Sequence, residues 1–116
     1  MTFGGDVAGY ETERGRILRE LKEGVQEIAG DHPVRLILYG SMARGDYDNE
    51  SDIDVAVIVR GLSRELKNRI LDKVADIEFE YLMPISTIVF SEDDFNHLKR
   101  RERRIALDIE KEGILI

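Results

Sequence analysis

Two aspartates, Asp52 and Asp54, stand two residues apart at the head of the apolar run "DIDVAVIV". Along a strand, every second side chain projects to the same face. Both carboxylates then point one way, with their Cα atoms roughly 7 Å apart. Like charges that close repel unless a cation lies between them. A hard divalent ion with oxygen ligands suits such a pair, and Mg²⁺ is the natural choice. Mg²⁺ takes one or two carboxylates and fills its remaining positions with water and phosphate oxygens. The pair therefore predicts a site where metal and nucleoside triphosphate arrive together.

The preceding loop supports that chemistry. Gly40 follows the short run "VRLILY" and lets the chain turn tightly beside a ligand. Ser41 adds a hydroxyl and a backbone N–H, and together they could cradle a terminal phosphate. The guanidinium of Arg44 matches phosphate geometry, although a salt bridge to a loop acid explains an arginine there equally well. Asp46, Asp48 and Glu50 are expected to face solvent, and Ser51 to cap the turn before Asp52. At Gly40 and Gly45, turn geometry alone accounts for glycine, so a phosphate role is additional.

The elements that must hold these residues follow from hydrophobic spacing. Ile17, Leu18, Leu21, Val25 and Ile28 recur at helical intervals. Thr12 is placed to cap that helix, and Gly30 and Pro33 to stop it. Val34–Tyr39 reads as a buried strand and Asp52–Val59 as its neighbour in the sheet. Ser63 opens a second helix in which Leu66, Ile70, Val74, Ile77 and Tyr81 share one face, with Pro84 as its stop. Ile85–Phe90 forms the third strand. Ser91 and Asp94 resemble a capping box for a last helix running to about Glu112, closed by Gly113. "ILI" at the C-terminus adds a short strand. The expected fold is α/β (α+β): a small mixed sheet of three to four strands covered by about three helices. Residues 1–11 read as a loose arm and 12–116 as a single domain.

Bulk properties narrow the function. A formal net charge of −7 disfavours sequence-blind binding to nucleic acid or anionic membrane. The absence of cysteine removes disulfides and thiolate zinc sites. No apolar stretch reaches the ~18 residues of a membrane span, and the N-terminus lacks a signal pattern. A cytoplasmic location is expected. His32 and His97 are isolated and are not read as metal ligands. The basic cluster "HLKRRERR", His97 to Arg104, reads first as a solvated helix face and second as a docking surface for an acidic partner or RNA.

The stretch "GSMARGDYDNESDIDVAV" resembles the GS-x10-D-x-D signature of the DNA polymerase β-like nucleotidyltransferase superfamily. It is most similar to the minimal nucleotidyltransferase branch, MNT, and the likeness is strongest over Leu36 to Val59. The resemblance implies that Gly40 and Ser41 hold the triphosphate and that Asp52 and Asp54 bind Mg²⁺. It implies transfer of a nucleotide, most often AMP from ATP, to a hydroxyl. Members of the branch also use a third carboxylate on a later strand. Here "PISTIVF" offers Ser86 or Thr87 at that point. Glu78 and Glu80 fall on a helix, and helix capping accounts for Asp93 and Asp94.

Three readings of function follow from the resemblance. The first is an enzyme that modifies a hydroxyl on a protein partner, in an antitoxin-like role. The second is a catalytically weak nucleotide-binding module that caps a HEPN-type helical toxin. The third, modification of a small molecule such as an aminoglycoside, commonly uses an additional acceptor-binding domain; a homo-oligomer could supply one.

Overall fold

The computed structural model describes residues 12–45 and 52–116. The expected arm at 1–11 and the loop residues Asp46, Asp48, Glu50 and Ser51 lie outside them.

Helix α1, Glu13–Ala29, buries Ile17, Leu18, Leu21 and Val25 as its spacing predicts. Thr12 caps it, its hydroxyl accepting from the Gly15 amide at 2.9 Å. Strand β1, Val34–Tyr39, follows within its expected bounds. The next four residues correct the expectation of a continuous loop: Ser41–Arg44 form a single helical turn, α2. Met42 explains it, because that side chain is buried in the main core and so draws the turn inward.

Strand β2 spans Ile53–Val59, with Asp52 immediately before it. Helix α3, Arg64–Tyr81, starts at Ser63, whose Oγ accepts from the Leu66 amide at 3.1 Å. It ends at Leu82, in left-handed backbone with φ of 51°, two residues before the proline expected to stop it. Strand β3, Ile85–Ser91, leads straight into α4, Glu92–Arg100. Ser91 Oγ accepts from the Asp94 amide at 3.0 Å.

The last helix is where the sequence reading needs most correction. It is two nine-residue helices, α4 and α5 (Arg104–Glu112), so the described residues hold five helices where about three were expected. The break lies at Arg101–Arg103, with Glu102 at a φ of 53°. The Arg101 and Arg103 amides turn back to the His97 and Leu98 carbonyls. Packing supplies the reason: Phe95 on α4 and Ala106 and Ile109 on α5 join one buried cluster. A straight rod could not lay both segments on a small sheet. Lys99 and Glu110 tie the two helices at 2.8 Å. After Gly113, strand β4, Ile114–Leu115, completes the sheet.

The sheet order is β3-β2-β1-β4. β1 runs antiparallel to β2 and β4, and β2 parallel to β3 through the α3 crossover. Leu36, Leu38, Val55, Val57 and Val59 belong to the core formed with α1 and α3. Ile37, Ala56 and Ile58 turn to α4 and α5. β2 is thus covered on both faces, which is why it reads as an unbroken apolar run.

Candidate functional site

The antiparallel register sets Tyr39 opposite Asp54. The chain leaves β1 where it later enters β2, so the Gly40–Ser41 bend and the aspartate pair meet at one corner. Gly40 adopts φ 73° and ψ −153°, a region essentially closed to other residues. A Cβ at that position would lie 3.1 Å from Asp54 Cγ and 3.3 Å from its Cβ, and would overlap Oδ2. Glycine is required here twice over, by backbone conformation and by the carboxylate packed against it. The close approach expected of a ligand is made first by Asp54 itself.

Asp54 is half-buried. Burial pushes its carboxyl above the usual range, and the charge of Asp52 adds to the rise, while Arg44 opposes it. The facing Tyr39 hydroxyl is also pushed up, by burial and then by Asp54. Asp52 is exposed. The charge of Asp52 thus reaches Asp54.

Arg44 has a partner that neither sequence reading named. Its Nη1 lies 2.7 Å from Glu112 Oε2, at the end of α5. Glu112 lies far from the loop in sequence, and the charge of Arg44 also reaches Asp54. Glu112 was not legible as a site neighbour, because 68 residues separate it from Arg44.

Ser86 and Thr87 are separated by the parallel register. Ser86 pairs with Asp54, whereas Thr87 pairs with Val55. Successive residues alternate faces, so Ser86 holds the place beside Asp54. Thr87 turns to the opposite face, its Oγ1 buried with no partner among the described residues. Glu78 is engaged elsewhere, its Oε2 accepting from the Ile85 amide at 2.9 Å. Among the described residues, no group of three His, Cys, Asp or Glu side chains could share a metal ion. His32 is structural: its Nδ1 lies 3.0 Å from the Arg60 carbonyl.

With this geometry in place, similarity to known proteins decides the family. The nucleotidyltransferase domain profile matches residues 18–114. The chain belongs to the nucleotidyltransferase family. Two proteins of Methanocaldococcus jannaschii are similar to it in sequence. "Putative protein adenylyltransferase MJ0141" is 37% identical over 75 residues, covering 64% of this chain and 76% of that protein. "Putative protein adenylyltransferase MJ0604" is 40% identical over 81 residues, covering 67% and 77%. A crystal structure described as a putative nucleotidyltransferase aligns with a TM-score of 0.50 at 27% identity, covering 85% of this chain and 96% of the other.

The nucleotidyltransferase fold therefore carries its Gly-Ser turn and its aspartate pair at one corner of the sheet. That corner fits a divalent cation on its own chemistry. Asp54 is partly desolvated and feels the charge of Asp52, and a nearby cation would offset both effects by favouring its ionised form. Oxygen donors of this kind select Mg²⁺ or a similar hard ion. No described helix is long and apolar enough to cross a membrane.

Proposed function

We propose that this nucleotidyltransferase moves AMP from ATP to a hydroxyl on a partner protein, with Asp52 and Asp54 holding Mg²⁺. The observation that carries the reading is the contact of the Gly40 backbone with the Asp54 carboxylate. That contact supports a bend and an acidic oxygen donor sharing one ligand, with Asp52 two residues away. The names of the two Methanocaldococcus relatives support AMP as the group transferred and protein as the acceptor.

In this reading the amides of Ser41 and Met42, at the start of α2, and the Ser41 hydroxyl hold the β- and γ-phosphates. Arg44 contributes positive charge at the same corner and steers the triphosphate. Bound Mg²⁺ would neutralise the developing charge on the phosphates. The acceptor oxygen bonds to the α-phosphorus, the α–β bridging P–O bond breaks, and pyrophosphate leaves. With Ser86 beside Asp54, no third carboxylate of the described chain takes the acceptor proton; it passes to solvent or to a base carried by the acceptor.

The test is transfer of label from α-labelled ATP to a co-purifying partner, with Asp54→Asn and Asp52→Asn as controls. Label on the partner that both substitutions abolish supports the enzyme. Equal labelling with wild type and both variants would refute it.

A second reading is favoured by Ser86 specifically. With serine where the branch places an acid, the protein would cap a HEPN-type helical toxin through binding, with little or no transfer. Neutralisation of that partner by Asp54→Asn at wild-type strength, without label incorporation, would select it over the enzyme.

A further inference from the structure

The β3 edge of the sheet carries a surface matched to itself. β3 ends the strand order, so one row of its backbone N–H and C=O groups has no neighbouring strand among the described residues. Its sequence, ISTIVFS, contains no charge, proline or glycine, the residues that usually protect an edge.

Helix α3 packs against β3 in the main core. Arg64 and Lys67 line a cavity of about 550 Å³ with Ile88 and Phe90 of β3. Glu78, near the other end of the helix, bonds the Ile85 amide. Arg64, Lys67, Leu71, Ala75, Glu78 and Leu82 step by three or four residues and so form one stripe. The stripe thus lies beside β3 at Arg64 and Lys67 and again at Glu78. The stripe is basic at its start, apolar at its centre and acidic towards its end. Leu82 is 85% exposed and the adjoining Phe79 82%, far more than a large apolar side chain normally shows.

An edge strand is completed by another extended strand. A copy related by a two-fold axis runs antiparallel, and it sets the basic start of each stripe against the acidic end of the other. We infer that two copies of this chain pair through β3, with the α3 stripes packed side by side. A strand edge and one helix stripe fall short of the ~20–30 residues a side of a standard interface, so the pairing is a concentration-dependent equilibrium. Because Ser86 lies in β3 beside Asp54, the second copy comes within one strand of the site's neighbour.

Sedimentation velocity of the full chain tests this. The weight-average mass should rise from the 13.3 kDa of one chain towards twice that value as concentration rises from ~5 to ~500 µM. Leu71→Arg combined with Phe79→Arg should move the midpoint at least ~10-fold higher, with an unchanged far-UV circular dichroism spectrum. Leu107→Arg, on α5 and 44% exposed, should leave it in place. Hydrogen exchange at β3 amides should slow at the higher concentration in wild type alone. A monomer at every concentration, a dimer indifferent to the α3 pair, or β3 amides that never gain protection would each overturn the pairing.

Discussion

The two faces of the sheet serve different ends. On the α1 and α3 side, seventeen of the described residues form one buried cluster, from Ile17 to Val89. On the α4 and α5 side the cluster holds six, and it reaches only to Tyr39 at the β1–β2 corner. The same strands supply both faces, so the difference lies in what the helices cover. The larger face holds the fold together. The smaller one stops short, and Asp54 occupies the place where an apolar side chain would otherwise continue the layer. The aspartate corner costs core, and the opposite face makes up the stability.

The sharpest break of that comparison is Ile70→Ala. Ile70 is fully buried in the larger face, and its truncation should cost about 2–5 kcal/mol in chemical denaturation. A loss below ~1 kcal/mol would mean the larger face does not carry the stability.

Asp54→Asn is the complementary change, expected to lower transfer at least ~10²-fold while sparing the fold. Its effect on stability has a definite sign. Asp54 has a raised folded-state pKa, so its ionised form opposes folding. That cost is absent below the unfolded pKa and complete above the folded one. Asp54→Asn should therefore raise Tm slightly at pH 7, and the gain should fade as pH drops through the carboxylate range. Added Mg²⁺ should raise the Tm of wild type and leave the variant unmoved. Scanning calorimetry at pH 7 and pH 3.5, with and without MgCl₂, checks both.

Gly40→Ala joins the two roles. The positive φ and the overlap with Asp54 Oδ2 should together cost about 1–3 kcal/mol and displace the carboxylate. Activity should fall further than the stability loss explains. Wild-type Mg²⁺ affinity in this variant would show that the contact does not shape the site.

The smallest effect is expected at Glu112→Gln. The Arg44–Glu112 pair is partly exposed, and such pairs contribute about 0–1 kcal/mol. If Glu112 orients Arg44 towards phosphate, the KM for ATP should rise with kcat little changed. An unaltered KM would confine the pair to the surface.

Most of the fold was legible because its elements have clean periods. β1 falls within the bounds read from "VRLILY", and Thr12, Ser63 and Ser91 all cap as expected. α2 and the α4–α5 break were not legible, since buried Met42 and the joint burial of Phe95 and Ile109 produce them. At the candidate site, residue type and spacing point to Gly40, Ser41, Asp52 and Asp54. Sequence leaves Ser86 and Thr87 equivalent, and the strand register separates them.

The sequence by itself determined which faces are apolar, where most helices start, and that two carboxylates follow a glycine-serine bend. These are local facts, set by side-chain period and by caps a few residues away. Only the tertiary structure decided that Tyr39 and Ser86 flank Asp54, that Arg44 meets Glu112, and that β3 is left at the edge. Those depend on strand register and helix docking, where packing energy between distant segments outweighs any preference written in a short window of chain.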